Sequence, residues 1–366
     1  MKIGVMSQWN VPSAMAMHAE PIVRSWLERG HEVKVFANRE WDELPPLIPD
    51  EPYVVRCYRL NQCPRDKQGW FFNPEPFLED KLDVFVVENL ERMPLTELLG
   101  IWPKIKKRSK TVLIIHEPFP PPYPEFYEFN WDAIVCFDQR YKDRFLKNFY
   151  PEKLIHIIPY PCYILQHGDK KKAREELNLP QDEVIVFTYG LGVQRKLHLL
   201  PALEHLSKRY PLTFCVLTDM PQGYKPFEAA KERYPFIELR KERVPIKLLA
   251  TYLYAADAFF VHRENEPQAV RLSSMIYTVL GAGCPTLAYN TNFVEDVGDV
   301  IIRYSSLDDF QAKLEDIFEG KEYVREILEK ADKFAEEHSG EKLGIKYLEL
   351  FRSLLLSEVK LHARSV

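Results

Sequence analysis

Short apolar runs rich in β-branched and aromatic residues alternate with amphipathic helical stretches along almost the whole 366-residue chain. That alternation leaves few architectures open. In the first half the strand candidates are KIGVMS (2–7), HEVKVFA (31–37), PYVVRCYRL (52–60), LDVFVVE (82–88), TVLIIHE (111–117), WDAIVCFD (131–138) and LIHIIPY (154–160). Many are apolar without a period of two, the pattern of strands buried on both faces of a parallel sheet. The stretch MHAEPIVRSWLERG places Ile22, Val23, Trp26 and Leu27 on one helix face and ends at Gly30, a natural residue just past a helix end. Pro21 predicts that this helix either starts or kinks there. A lysine-rich segment, HGDKKKAREELNLPQDE (167–183), interrupts the series, which restarts with EVIVFTYG (183–190), LTFCVLTD (212–219), FIELR (236–240), DAFFVHR (257–263), CPTLAYN (284–290) and DVIIRY (299–304). Helical patterns separate these runs at 197–209, 226–234, 246–256, 273–282 and 307–318. Two successive βα series predict an α/β protein of two doubly wound domains facing a cleft. The expected bounds are 1–163 for the first domain, 164–335 for the second and 336–366 for a helical tail. Within the helical stretch 321–356, Leu343, Tyr347, Leu350 and Leu354 recur at helical spacing, and the final helix is expected to pack back toward the N-terminal domain.

Charge and composition exclude several classes. A net charge of −5 with no long basic block makes nucleic acid an unexpected partner. The apolar runs are far shorter than a membrane span of about 20 residues, so at most peripheral membrane contact is expected. The opening MKIGVMSQWN carries no signal-peptide apolar region, which predicts a cytoplasmic protein. The six cysteines, at 57, 63, 136, 162, 215 and 284, form no CxxC pair and are expected to be reduced and buried. Glycine numbers 14 and proline 28, where average usage gives roughly 26 and roughly 18. This scarcity matters because nucleotide-binding loops commonly use glycine where backbone must approach a phosphate. Abundant lysine and glutamate with little glycine and much proline also suit a thermophile. PFPPPYP (118–124) directly follows a predicted strand and is expected to be a stiff loop at the site rather than a free polyproline ligand.

Five segments, in order, resemble the GT-B glycosyltransferases, particularly the family 4 group. They are LERGHEVKVFA, KKKAREELNLPQDEVIVFTYG, KLHLLPALEHL, LLATYLYAADAFFVHRENE and LGAGCPTLAYN. The resemblance covers both predicted domains. It implies two Rossmann-like domains, a nucleotide diphosphate sugar as donor, no cofactor, and a retaining transfer to an acceptor hydroxyl. The acceptor would be a carbohydrate, a lipid-linked sugar or a small molecule, and domain closure would exclude water. A departing diphosphate needs cations and helix N-termini aimed at it. Lys196 matches the family's phosphate-contacting lysine. The family's arginine follows a strand-end glycine, but here Leu191 follows Gly190, and Arg195 is placed to substitute from the next turn. Positive charge at a helix start opposes the helix dipole unless an anion binds there.

Arg271, Ser273 and Ser274 stand at the start of the 273–282 helix, where the serines read equally well as ordinary caps or as phosphate donors. The family pattern separates two glutamates by seven residues. In this chain Glu266 takes the first place, while the second falls on Thr278, twelve positions on, so an insertion is implied and the ribose-binding acid is missing. Glu264 and Glu266 are candidates for the sugar hydroxyls, or with His262 and Arg263 for a surface ion-pair cluster. His116 matches a histidine that the family places near the reacting sugar, and it is the catalytic candidate together with Glu266. The loop 9–18 replaces the family's glycine-rich acceptor loop without its glycine pair, leaving Asn10, Ser13 and His18 to line the acceptor side. No Asp-x-Asp pair is visible, so no metal ligands and no metal-dependent chemistry are expected. Two rivals remain: a degenerate GT-B protein that only binds, and a dinucleotide oxidoreductase, for which GLG (190–192) lacks the third glycine.

Overall fold

The structure is a computed structural model that describes residues 1–39, 46–60 and 71–363. Its contacts divide the chain into two units. The first is Met1–Pro161 with Gln268–Arg271 and His338–Val366, and the second is Cys162–Pro267 with Leu272–Glu337. The division assigns the last helix to the first unit, and inserts four residues of the second half there too.

In the first unit the elements run β1 (Lys2–Met6), α1 (Ala14–Glu28), β2 (Glu32–Asn38), β3 (Val54–Tyr58), α2 (Glu75–Glu79), β4 (Val84–Glu88), α3 (Leu95–Lys106), β5 (Lys110–Ile114), β6 (Ala133–Cys136), α4 (Gln139–Arg144) and β7 (Ile155–Ile157). The seven strands form one sheet in the order β3-β2-β1-β4-β5-β6-β7, every pair parallel. The order reverses at β1 and β4, which opens a crevice at their C-terminal ends. β4 is buried along its whole length, as its unbroken apolar run predicts.

Helix α1 does not start at Pro21, which lies inside it. It begins seven residues earlier, where the Ser13 side chain accepts a hydrogen bond from the Ala16 amide at 3.2 Å. Its buried face is completed by the C-terminal helix, Gly340–Ala363. Gly340 lies so close to Pro21 that a Cβ would stand 2.6 Å from the Pro21 carbonyl oxygen, and Gly344 faces Ser25 in the same way. The Trp26 indole donates to the Gly344 carbonyl at 3.0 Å. The continuous 321–356 helix suggested by spacing is in fact two helices. They break around Ser339, whose hydroxyl accepts from the Lys342 amide.

In the second unit α5 (Lys170–Glu176), β8 (Val184–Tyr189), α6 (Leu200–Ser207), β9 (Leu212–Leu217), α7 (Pro221–Ala230), β10 (Ile237–Arg240), α8 (Ile246–Ala255), β11 (Ala258–Val261), α9 (Ser274–Val279), β12 (Thr286–Tyr289), β13 (Ile302–Tyr304), α10 (Leu307–Phe318) and α11 (Glu322–Glu337) follow in order. The six-stranded parallel sheet is ordered β10-β9-β8-β11-β12-β13, with its reversal at β8 and β11. Phe214, Phe260, Phe310 and Tyr304 meet in its core. The 197–209 helix is shorter than its pattern, because residues 193–199 wind as a 3-10 turn before α6. The helix expected at 226–234 starts earlier, with Pro221 in its first turn, a position where a missing N–H costs nothing. Five cysteines are free and buried, as expected; Cys63 lies outside the described residues. Among the described residues no helix is long and apolar enough to cross a membrane.

Candidate functional site

Each sheet gathers one cluster of titratable groups where its strand order reverses. In the first unit Glu88 ends β4 with its side chain 2% exposed. His18, one turn into α1, places Nδ1 3.0 Å from Glu88 Oε1. His116, just after β5, places Nε2 3.3 Å from Glu88 Oε2, off the direction a hydrogen bond needs. The Ser7 hydroxyl donates to the same oxygen at 3.4 Å, and Tyr347 of the C-terminal helix places its hydroxyl 3.2 Å from His18 Nε2. Phe137 and Tyr160 wall the imidazoles. Burial alone would raise the Glu88 carboxyl, but the two histidines outweigh it and hold the group at about 2. Burial lowers the His116 imidazole against the pull of Glu88. Glu117, also buried, is raised by burial while its carboxylate accepts from the amides of Glu91 and His116.

The structure therefore joins His18 and His116, predicted separately, through Glu88, which the sequence reading did not single out. Its signal was an acid closing a wholly apolar strand run. The other two acceptor-side candidates are engaged elsewhere. Ser13 caps α1. Asn10 takes the left-handed conformation at φ 57°, which glycine would otherwise supply in such a turn. Its side-chain amide donates to Asp50 and Glu51, and its backbone amide to Glu20. The proline loop leaves the C-terminal end of β5 and is pinned by the Tyr127 hydroxyl on the Pro121 carbonyl and by the Val270 amide on the Pro118 carbonyl.

In the second unit Lys196 is 3% exposed. Its ammonium donates to the Thr188 hydroxyl, which in turn donates to the Phe260 carbonyl, and it lies 5.5 Å from the Phe260 ring centre. No carboxylate pairs with it among the described residues. Burial, with repulsion from Arg263 added, lowers the ammonium to about 7. His262 follows β11 directly, with Nδ1 2.7 Å from the Tyr304 hydroxyl and Nε2 3.1 Å from Glu264. His198 meets it edge-on at 4.4 Å. Burial lowers the His262 imidazole despite Glu264.

The remaining candidates spread around this centre. Arg195 is exposed and packs over Gly192. Glu264 is 78% exposed at its side chain, and Glu266 is exposed, its backbone bracketed by the Asn292 side chain. Ser273 is the first residue before α9, but its side chain makes no capping bond; Ser274 begins the helix. Thr278 is buried and returns its hydroxyl to the Ser274 carbonyl. Arg271 belongs to the four-residue segment grouped with the first unit, where its carbonyl accepts from Arg140. The structure thus assembles Lys196 with His262 and Glu264, whereas Arg271 is grouped apart from them.

No protein-family model matches the chain. Solved structures do match it along nearly its full length. Sucrose-phosphate synthase from Thermosynechococcus elongatus aligns with a TM-score of 0.68 at 14% identity, over 98% of this chain and 100% of that one. Anabaena HepE in complex with UDP and glucose gives 0.66 at 15% identity, over 96% and 100%. The pneumococcal O-GlcNAc transferase GtfA in complex with UDP and GlcNAc gives 0.65 at 9% identity, over 97% and 99%. At such identities the likeness is one of fold, and the two parallel sheets of this chain are the Rossmann-like domains of the GT-B architecture.

Proposed function

We propose that the chain is a glycosyltransferase that moves a sugar from a nucleotide diphosphate sugar to an acceptor hydroxyl, with the donor diphosphate held by the second unit. The observation that carries this reading is Lys196, a buried cation without a carboxylate partner among the described residues, at the strand-order reversal of its sheet. An isolated buried ammonium is costly, and a bound phosphate would offset that cost and return the lysine to its charged form. Arg195, Ser273 and Ser274 are assigned to the same phosphate groups, with Arg271 as a further cation. Glu264 and Glu266 are assigned to the sugar hydroxyls. His116 is assigned to the reacting sugar and acceptor, beside His18. Neutralisation of the leaving phosphate by side chains makes the transfer itself metal-independent, and a retaining outcome follows from the family 4 resemblance. HepE and GtfA are described with UDP, and a starch synthase of the same fold with ADP, which supports a nucleoside diphosphate as the leaving group.

A second reading, a GT-B protein that binds a nucleotide sugar without turnover, is favoured by Thr278. Where the resemblance calls for a ribose-binding acid, this chain has a buried hydroxyl bonded to its own helix. Thermal-shift and calorimetric screening against UDP-, GDP- and ADP-sugars, with NAD as the competing ligand, tests the reading. A nucleotide sugar is expected to raise the melting temperature, whereas stabilisation by NAD alone would replace the transferase with an oxidoreductase. Release or transfer of sugar from the stabilising donor separates the enzyme from the binding protein.

A further inference from the structure

We propose that His18, Glu88 and His116 form a binding site for one divalent transition-metal ion, zinc being the best fit, with His18 Nδ1, a Glu88 carboxylate oxygen and His116 Nε2 as ligands. The three donor atoms lie within 4.8 Å of one another, with His18 Nδ1 3.0 Å from Glu88 Oε1 and His116 Nε2 3.3 Å from Glu88 Oε2. Ligand atoms bound at about 2.0–2.2 Å around a tetrahedral zinc stand roughly 3.4 Å apart, so an ion drawing the two imidazoles slightly together completes the geometry. Two imidazoles and one carboxylate are a donor set that zinc uses, with a fourth position left open.

Three further features fit an ion rather than a hydrogen-bonded cluster alone. His116 Nε2 is fully buried and makes no hydrogen bond, although it faces the carboxylate. No lysine or arginine pairs with Glu88 among the described residues, and its ion-pair partners are the two imidazoles. The outer contacts are those that orient metal ligands: the Tyr347 hydroxyl on the far nitrogen of His18 and the Ser7 hydroxyl on Glu88. The ligands come from α1, the end of β4 and the turn after β5, so the ion would tie three elements together where the strand order reverses. It would also occupy the one His116 nitrogen that faces the cluster. The site shares His18 and His116 with the acceptor-side assignment but none of the residues assigned to the donor phosphates, so metal binding is testable without a nucleotide.

The test uses the full chain, stripped with a chelator and kept free of nucleotide, so that its outcome is independent of donor binding. Cobalt(II) is titrated as a spectroscopic probe and displaced with zinc, and melting temperature is followed against zinc concentration. The expected result is about one equivalent bound per chain, tetrahedral cobalt absorption that zinc abolishes, and a melting temperature that rises with free zinc. Glu88→Gln and His116→Gln should each weaken binding by more than about tenfold, while His205→Gln in the second unit should not. If a Gln variant fails to fold, the wild-type titration still decides. Absence of stoichiometric cobalt or zinc binding by the wild-type chain overturns the site. So does binding that survives unchanged in folded Glu88→Gln and His116→Gln.

Discussion

The two sheets reverse their strand order in the same way, yet the clusters at those reversals balance charge differently. In the first unit a buried carboxylate, Glu88, has two imidazoles against it, and most of its polar neighbours are satisfied internally. In the second a buried ammonium, Lys196, has a hydroxyl and an aromatic ring but no carboxylate among the described residues. The low dielectric of both places makes an unmatched charge expensive: the first cluster sets opposite partners against its carboxylate, while the second offers its ammonium only neutral ones among the described residues. The same topology thus supplies a carboxylate set between two imidazoles in one unit and a buried lysine in the other.

Substituting Lys196→Met breaks this contrast most sharply. It should weaken nucleotide-sugar binding by about a hundredfold or more, since a charge-assisted contact to phosphate is lost. It should also raise the melting temperature, because the buried charge is gone. In the wild type the folded-state ammonium lies at about 7 and its ordinary value is 10.5, so between the two the unfolded chain holds more protons. Stability should therefore rise with pH across that window, and the rise should vanish in Lys196→Met. Denaturant titrations at pH 7 and pH 9.5 measure it.

Next in size is Gly340→Ala, whose new methyl group meets the Pro21 backbone. A cost of about 1–3 kcal/mol is expected from overpacking. Because the displaced helix carries Tyr347, the first cluster should loosen while nucleotide affinity in the second unit stays unchanged. The smallest effect belongs to Ser13→Ala, which removes the cap of the helix bearing His18 and should cost about 1 kcal/mol. An equal loss in acceptor affinity without a stability change would instead give Ser13 a binding role.

Both βα series were legible because fully buried parallel strands leave unbroken apolar runs that short segments display by themselves. Lys196 was legible as a cation at a helix start, and His116 as a polar residue closing such a run. Glu88 was not, since its meaning arises from β4 lying beside β1 and β5 and from α1 bringing His18 across, contacts spread over 70 residues of sequence. The continuity of α1 through Pro21 was hidden for a related reason. The helix is held by Gly340 and Gly344 of a segment more than 300 residues later, so tertiary packing overrides the local penalty. The glycine-poor turn at 9–18 is resolved by Asn10, whose left-handed backbone does what glycine would do, while its side-chain amide donates to Asp50 and Glu51.

The most direct measurement is calorimetric titration of the stabilising nucleotide sugar at pH 8.5 in two buffers of different ionisation enthalpy. A buried lysine at about 7 is mostly neutral there, and phosphate binding must recharge it. Uptake of about one proton per nucleotide bound is expected in the wild type and none in any residual binding by Lys196→Met. Binding with no proton uptake, or with the same uptake in the variant, would contradict the assignment of Lys196 as the diphosphate anchor.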